Sequence, residues 1–274
     1  MSPRRPRSGP PESEAAGGER PDRRGPAARG RYGGRSGSFV VLAGGRSRRM
    51  GRDKARLELG GKPLLLRLLG IGRSACEEGV LVTDEPGRYD DLVQRFRDSE
   101  RGRADESARG GERGRGGGAA PSGAAWPLRC VTDRRPGQGP LAGLEAGLSA
   151  AARPVCFVAS CDLAWLEAPL VRSLVEGLGA AAGDDGPPRA LIPVRSGRDQ
   201  PLCAAYERRA SGIAAACLDG GERRVQALLE RLRVRRLDER ALEALTGLPG
   251  AARRTRDLDT PGDLRAARED GGDP

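Results

Sequence analysis

The segment Leu42-Ala43-Gly44-Gly45-Arg46-Ser47-Arg48-Arg49-Met50-Gly51-Arg52-Asp53-Lys54 holds residue types suited to gripping a polyphosphate. Paired glycines let the backbone approach a ligand closely. Successive N–H groups in such a turn cradle phosphate oxygens. Arg46, Arg48, Arg49 and Lys54 add positive charge. Lys54 and Lys62 are the two lysines among 48 basic residues. Ammonium and guanidinium are not interchangeable at a phosphate, so a lysine kept in so Arg-biased a chain is a candidate for chemistry. The loop is not a P-loop, because no Gly-Lys-Ser/Thr closes it, and it lacks the GxGxxG fingerprint. Read alone, it also fits plain turn chemistry in an Arg-rich chain, with Lys54 an exposed surface residue.

Carboxylates supply a second component. Asp162 follows the apolar run Val155-Cys156-Phe157-Val158-Ala159, Asp133 follows Leu128–Val131, and Asp84 follows Val80-Leu81-Val82-Thr83. A divalent ion held by carboxylates is the usual way to neutralise charge at a reacting phosphate. Mg²⁺ needs only one or two of them, since waters and substrate phosphates complete its shell. The plainer reading of Asp162 and Asp133 is helix capping or turn formation. The chain has no His, which argues against Ser-His-Asp catalysis.

These residues need elements to place them. Ser38–Ala43 reads as a buried strand ending in the glycines. Further strands are expected at 80–83, 128–131, 154–160, 189–194 and 233–237, with helices at 62–77, 91–97, 141–151, 167–178, 223–233 and 262–268. Alternating strands and helices imply an α/β sandwich with right-handed crossovers. Ligands in such sheets bind beyond the carboxyl ends of the strands, where Gly44, Asp84, Asp133 and Asp162 fall. Residues 1–36 lack hydrophobic periodicity and read as a disordered basic tail. The domain spans 37–270, and 98–125 reads as a low-complexity, structureless insertion in which five Arg balance five acids.

At full spacing, Leu-Ala-Gly-Gly-x-Ser-x-Arg-Met-Gly-x-Asp-Lys, followed by Gly61-Lys62-Pro63-Leu64, resembles the signature of the molybdenum cofactor guanylyltransferases. Gly44, Gly45, Ser47, Arg49, Met50, Gly51, Asp53 and Lys54 fall in register. The resemblance covers roughly residues 38–268, apart from 98–125. It implies a three-layer α/β/α sandwich around a Rossmann-like, mostly parallel sheet of the nucleotide-diphospho-sugar-transferase (GT-A-like) type. It implies transfer of GMP from GTP to the molybdopterin-molybdenum cofactor, with Mg²⁺ as the metal. In that reading Lys54, Arg49 and Asp162 are catalytic. Leu42, Ala43, Gly44, Gly45, Lys54, Asp84, Asp133 and Asp162 bind the nucleotide, and Asp162 binds the metal. Gly44 stands where relatives using CTP tend to have Ala, which favours the larger purine.

Two further segments extend the resemblance. Asp199-Gln200-Pro201-Leu202 is similar to the family's Gln-Pro-Leu segment near the acceptor pocket, implicating Gln200. Asp257-Leu258-Asp259-Thr260-Pro261-Gly262-Asp263-Leu264 resembles Asn-x-Asn-Thr-Pro-x-Asp-Leu, which assigns Asp257 and Asp259 to the acceptor. Here both asparagines are Asp, and the chain has no Asn. Asp84 also stands where the family often has Asn, and Ser160 replaces the Pro of Pro-Cys-Asp. The plainer reading of 257–264 is the capped start of a helix.

Composition bounds the remaining classes. The net charge is +10, and residues 1–36 hold nine Arg against four acids. Cys76, Cys130, Cys156, Cys161, Cys203 and Cys217 form no CxxC pair, so reduced thiols and a cytoplasmic location are expected. No apolar run approaches the ~18 residues of a membrane span, and no apolar signal region follows the basic start. The resemblance implies GTP and the molybdopterin cofactor as partners, with molybdoenzymes or other cofactor-assembly proteins as docking partners. Within the enzymes, the rival is cytidylyl or other nucleotidyl transfer to a phosphorylated acceptor. Outside them, the rivals are an Arg-rich nucleic-acid-binding module and a catalytically silent adaptor. Nucleic-acid binding is disfavoured, because the RGG-like pieces near 109–116 lack interleaved aromatics.

Overall fold

A computed structural model describes residues 36–44, 53–109, 125–180 and 189–270. Residues 1–35 of the expected tail and residues 110–124 of the expected insertion lie outside the described residues, as do residues 45–52 of the glycine-rich loop.

The chain folds as three layers around one sheet. In chain order the strands are β1 (Ser38–Leu42), β2 (Glu58–Leu59), β3 (Lys62–Pro63), β4 (Glu78–Thr83), β5 (Leu128–Thr132), β6 (Val155–Ser160), β7 (Arg189–Arg195), β8 (Arg198–Asp199), β9 (Cys203–Glu207) and β10 (Arg233–Leu237). The helices are α1 (Leu64–Ala75), α2 (Asp90–Arg109), α3 (Pro140–Ala150), α4 (Ala168–Gly179), α5 (Ala210–Asp219), α6 (Val225–Leu229), α7 (Glu239–Thr246) and α8 (Pro261–Asp270). The main sheet has the order β10-β7-β9-β6-β1-β4-β5, with β8 on β7, while β2 and β3 form a separate hairpin.

β1 sits at the centre, parallel to β4 and β6, with Val40 opposite Val80 and Val158. Both its faces are covered, which explains its unbroken apolar run. Phe39 and Val41 face a core built with Leu65, Leu68 and Leu69 of α1 and Leu170, Val171 and Leu174 of α4. Val40 and Leu42 face the other layer, with Leu141, Leu144 and Leu148 of α3 and Cys217 and Leu218 of α5. Phe39 and Phe157 stack at 5.8 Å between centroids.

The mostly parallel α/β/α sandwich agrees with the expectation. Three local expectations need correction. The helix expected at 91–97 runs from Asp90 to Arg109, so residues 98–109 are helical rather than structureless. Leu92, Val93 and Phe96 bury its inner face. Gln94–Asp98 and Arg73–Glu100 contacts carry it onward. The helix expected at 223–233 spans only Val225–Leu229. Arg231 and Leu232 N–H groups bond the Leu228 and Leu229 carbonyls, tightening the chain into turns that deliver it to β10. Finally, β9, α5 and α7 were absent from the sequence reading. β9 (CAAYE) is entirely buried and antiparallel to both β6 and β7. Its Ala-rich pattern has little strand character of its own, and burial between two strands decides its state.

Candidate active site

β1, β4, β5 and β6 run parallel, so their carboxyl ends share one edge. Backbone bonds extend this alignment past the strands. Ala43 N–H donates to the Val82 carbonyl, Cys161 N–H to the Leu42 carbonyl, and Asp133 N–H to the Thr83 carbonyl. Gly44, Asp84, Asp133 and Asp162 therefore lie on neighbouring strand tips, as the topology requires. A Cβ added at Gly44 would sit 3.3 Å from the Asp84 backbone nitrogen. An alanine there would press on the β4 tip.

Lys54 enters the site from a short 3-10 turn over Lys54–Arg56. Asp53 caps it, its Oδ1 accepting the Ala55 N–H at 3.0 Å. Ala55 is buried in the core and Leu57 packs in a small cluster with Leu59, Leu64, Ala164, Leu258 and Ala267. With its neighbours anchored, the Lys54 side chain reaches Asp162. Its Nζ lies 2.8 Å from Asp162 Oδ2 and 3.1 Å from Asp259 Oδ1. The Lys54 and Asp162 side chains are only 15% and 18% exposed. Burial alone would lower the ammonium's pKa. The hydrogen bond and charge of Asp162, then those of Asp259, outweigh it and hold Lys54 above its usual value.

Asp162 Oδ1 is buried and has no hydrogen-bond partner among the described residues. No group of three or more His, Cys, Asp or Glu side chains is placed to hold a metal among those residues. The free, buried oxygen of one carboxylate fits Mg²⁺, which takes few protein ligands. Cys161 beside it is no nucleophile. Burial, then the charges of Asp162 and Asp53, push its thiol up to about 12.

A strap over 257–259 closes the other side. Leu258 is fully buried, and its N–H donates to the Asp162 carbonyl at 3.0 Å. Asp259 reaches Lys54 beside it. Thr260 and Asp263 then start α8 with a capping box: Asp263 accepts from the Thr260 N–H, and Thr260 Oγ1 accepts from the Asp263 N–H. The capped helix start and the site contact thus coexist in one segment. Burial, then the charges of Asp162 and Asp259, push the Asp257 carboxyl up to about 6. Its folded pKa exceeds its unfolded value near 4, so the folded chain binds the proton more tightly. Stability from this group is therefore present below about pH 4 and is lost as pH rises through about 6. Asp257→Asn is expected to raise the melting temperature at pH 7.5, with the gain shrinking toward pH 4. Melting curves at both pH values check this, and an equal shift at both contradicts it.

The expected residues separate into groups. Lys54, Asp162 and Asp259 meet directly. Leu42, Ala43, Gly44, Asp84 and Asp133 line the adjacent tips. The Asp84 carboxylate is held by Arg88 at 2.6 and 2.8 Å. Asp133 Oδ1 accepts the Arg135 N–H in a turn. Gln200 bonds the Arg198 carbonyl through its side chain, not the Lys54 group. Gly45 and Arg49 lie outside the described residues. Arg88 and Tyr89, which sequence reasoning does not single out, hydrogen-bond to Asp53, a residue of the glycine-rich motif. Sequence reasoning also missed that Asp259 touches Lys54. The Pro86-Gly87 turn before Arg88 was the one local signal available.

Comparisons with known proteins agree with this fold. The family model for the MobA-like NTP transferase domain matches residues 39–237. A molybdenum cofactor guanylyltransferase of Desulfosudis oleivorans is 25% identical over 75% of this chain and 83% of its own length. A probable molybdenum cofactor guanylyltransferase of Trichormus variabilis is 30% identical over 70% and 75%. In fold, the crystal structure of molybdopterin-guanine dinucleotide biosynthesis protein A from Archaeoglobus fulgidus aligns with TM-score 0.61 and 24% identity, covering 85% of this chain and 98% of that one. With this family model spanning most of the folded chain, over strands whose tips carry Gly44, Asp84, Asp133 and Asp162, the chain belongs to the MobA-like nucleotidyltransferases.

Proposed function

We propose that this chain transfers GMP from GTP to the terminal phosphate of the molybdopterin-molybdenum cofactor, releasing pyrophosphate. One observation carries this reading: a nearly buried lysine paired with a strand-tip aspartate whose second oxygen has no hydrogen-bond partner among the described residues. An acceptor phosphate oxygen attacks the α-phosphorus, the new P–O bond forms, and the bond to the β-phosphate breaks. The nucleophile is already an anion, so no general base is demanded, consistent with a chain that has no His. Lys54 offsets the charge that develops on the departing pyrophosphate, and the loop amides and Arg49 grip the phosphates. Asp162 would hold Mg²⁺ through its free oxygen, and the ion would supply further neutralisation of the triphosphate. By the resemblance to the family's segments, Gln200, Asp257 and Asp259 would contact the acceptor. No helix among the described residues is long and apolar enough to cross a membrane. All six cysteines are unpaired, which supports a cytoplasmic site of action.

Pyrophosphate release should be measured with each nucleoside triphosphate and Mg²⁺, with and without molybdopterin. Release that needs both GTP and the acceptor is the expected result. Equal release with CTP would assign cytidylyl transfer, and GTP binding without release would assign an adaptor.

A further inference from the structure

We propose that Tyr89 and Arg88 are positioning residues that hold Asp53 and, through it, set the place of the Lys54 ammonium. This rests on the transfer reading above only for its effect on rate.

The turn that carries Lys54 is three residues long. So short a turn has no stability of its own, and its geometry must be imposed. Asp53 imposes it from the front by capping the Ala55 N–H. The Asp53 carboxylate is itself fixed from behind. The Tyr89 hydroxyl donates to it at 3.0 and 3.1 Å. Arg88 adds an ion pair to Asp53 Oδ2 at 3.3 Å. The far end of the turn is gripped by the same segment. Arg56 forks onto both oxygens of Asp91 at 2.7 and 2.8 Å and donates to the Arg88 carbonyl. Residues 88–91 therefore clamp both flanks of Lys54 without touching it.

Tyr89 is suited to this task. It is 3% exposed. Burial, then the Asp53 charge, raises its phenol pKa, so the hydroxyl remains a donor. The guanidinium groups of Arg56 and Arg88 lie over its ring at 5.5 and 5.4 Å, a cation–π arrangement that fixes the ring. Arg88 also holds Asp84 on the β4 tip. One guanidinium thus ties a nucleotide-side strand tip to the cap of the lysine turn. Displacing a catalytic group by ~1 Å costs up to about 10²-fold in rate, so loosening this clamp has a measurable cost.

Tyr89→Phe keeps the ring and removes only the hydroxyl. Its kcat for pyrophosphate release is expected to fall about 10-fold, with KM for GTP changed less than about twofold. A second readout needs no turnover. Lys54 and Lys62 are the two lysines, so trinitrophenylation of Lys54 by trinitrobenzenesulfonate (aryl–N bond formed, sulfite released), read by peptide mass spectrometry against Lys62, reports the pairing of Lys54. That ratio is expected to rise at least about threefold in Tyr89→Phe, because a displaced ammonium loses its carboxylate partners. Arg88→Gln should raise it as well. In a Lys54→Ala background, Tyr89→Phe should cause no further loss of rate, since the two act as one unit. An unchanged labelling ratio overturns the proposal. So does an equal fold-loss in the Lys54→Ala background, which would mark Tyr89 as a general structural residue. If Lys54→Ala keeps full activity, the transfer reading fails, while the labelling ratio still decides whether Tyr89 places Lys54.

Discussion

Lys54→Ala is expected to lower kcat for pyrophosphate release by about 10²–10³-fold, about 3–4 kcal/mol of barrier. The ammonium is the one lysine at the strand tips, and its partners hold it in a site only 15% exposed. In such a site a fixed charge is worth far more than in water. The substitution also strands Asp162, whose Oδ2 loses its only hydrogen bond in the described structure. A stability loss of about 1–3 kcal/mol is therefore expected. Circular dichroism should show an intact fold beside the lost activity. Lys54→Arg separates charge from shape. It keeps the positive charge, but its planar fork cannot replace a compact ammonium between two carboxylates. It is expected to recover stability while leaving less than about a tenth of the activity. Wild-type turnover in Lys54→Ala would remove the basis of the mechanism.

Asp162→Asn is expected to reduce kcat by about 10³-fold and to shift the Mg²⁺ requirement to higher concentration. The amide matches the carboxylate in size, so packing at the β6 tip is preserved. It loses the charge that pairs with Lys54 and the oxygen that fits a hard cation. The Lys54 pKa should fall at the same time, because the hydrogen bond and charge of Asp162 are what chiefly hold it up against burial. An Mg²⁺ titration of initial rates separates this variant from Lys54→Ala, which should leave the metal requirement unchanged. If Asp162→Asn shows the wild-type Mg²⁺ curve, the metal is held elsewhere.

Much of the site's frame was legible in the chain. The run Ser38–Leu42 had to be a strand covered on both faces, because five apolar or small residues with no polar alternation cannot face water. Its end at Gly44, and the aspartates after β4, β5 and β6, placed the chemistry along one edge. That inference needed only the rule that parallel strands present their carboxyl ends together. The contacts inside the site were not legible. Lys54 meets Asp162 across 108 residues and Asp259 across 205. No local period encodes such pairs. They depend on Leu258 being buried beside Leu57, which fixes the strap relative to the turn.

The same division runs through the whole protein. Residue types and spacing determined which groups could handle phosphate, and hydrophobic runs determined the parallel strands that carry them. Both are short-range properties, set by side-chain chemistry and a period of a few residues. Tertiary structure alone decided that Asp84 is taken by Arg88, that Asp53 is held by Tyr89, and that Ala-rich β9 is a strand. Those outcomes depend on which distant segments packing brings within hydrogen-bond reach, and on burial overriding weak local preference.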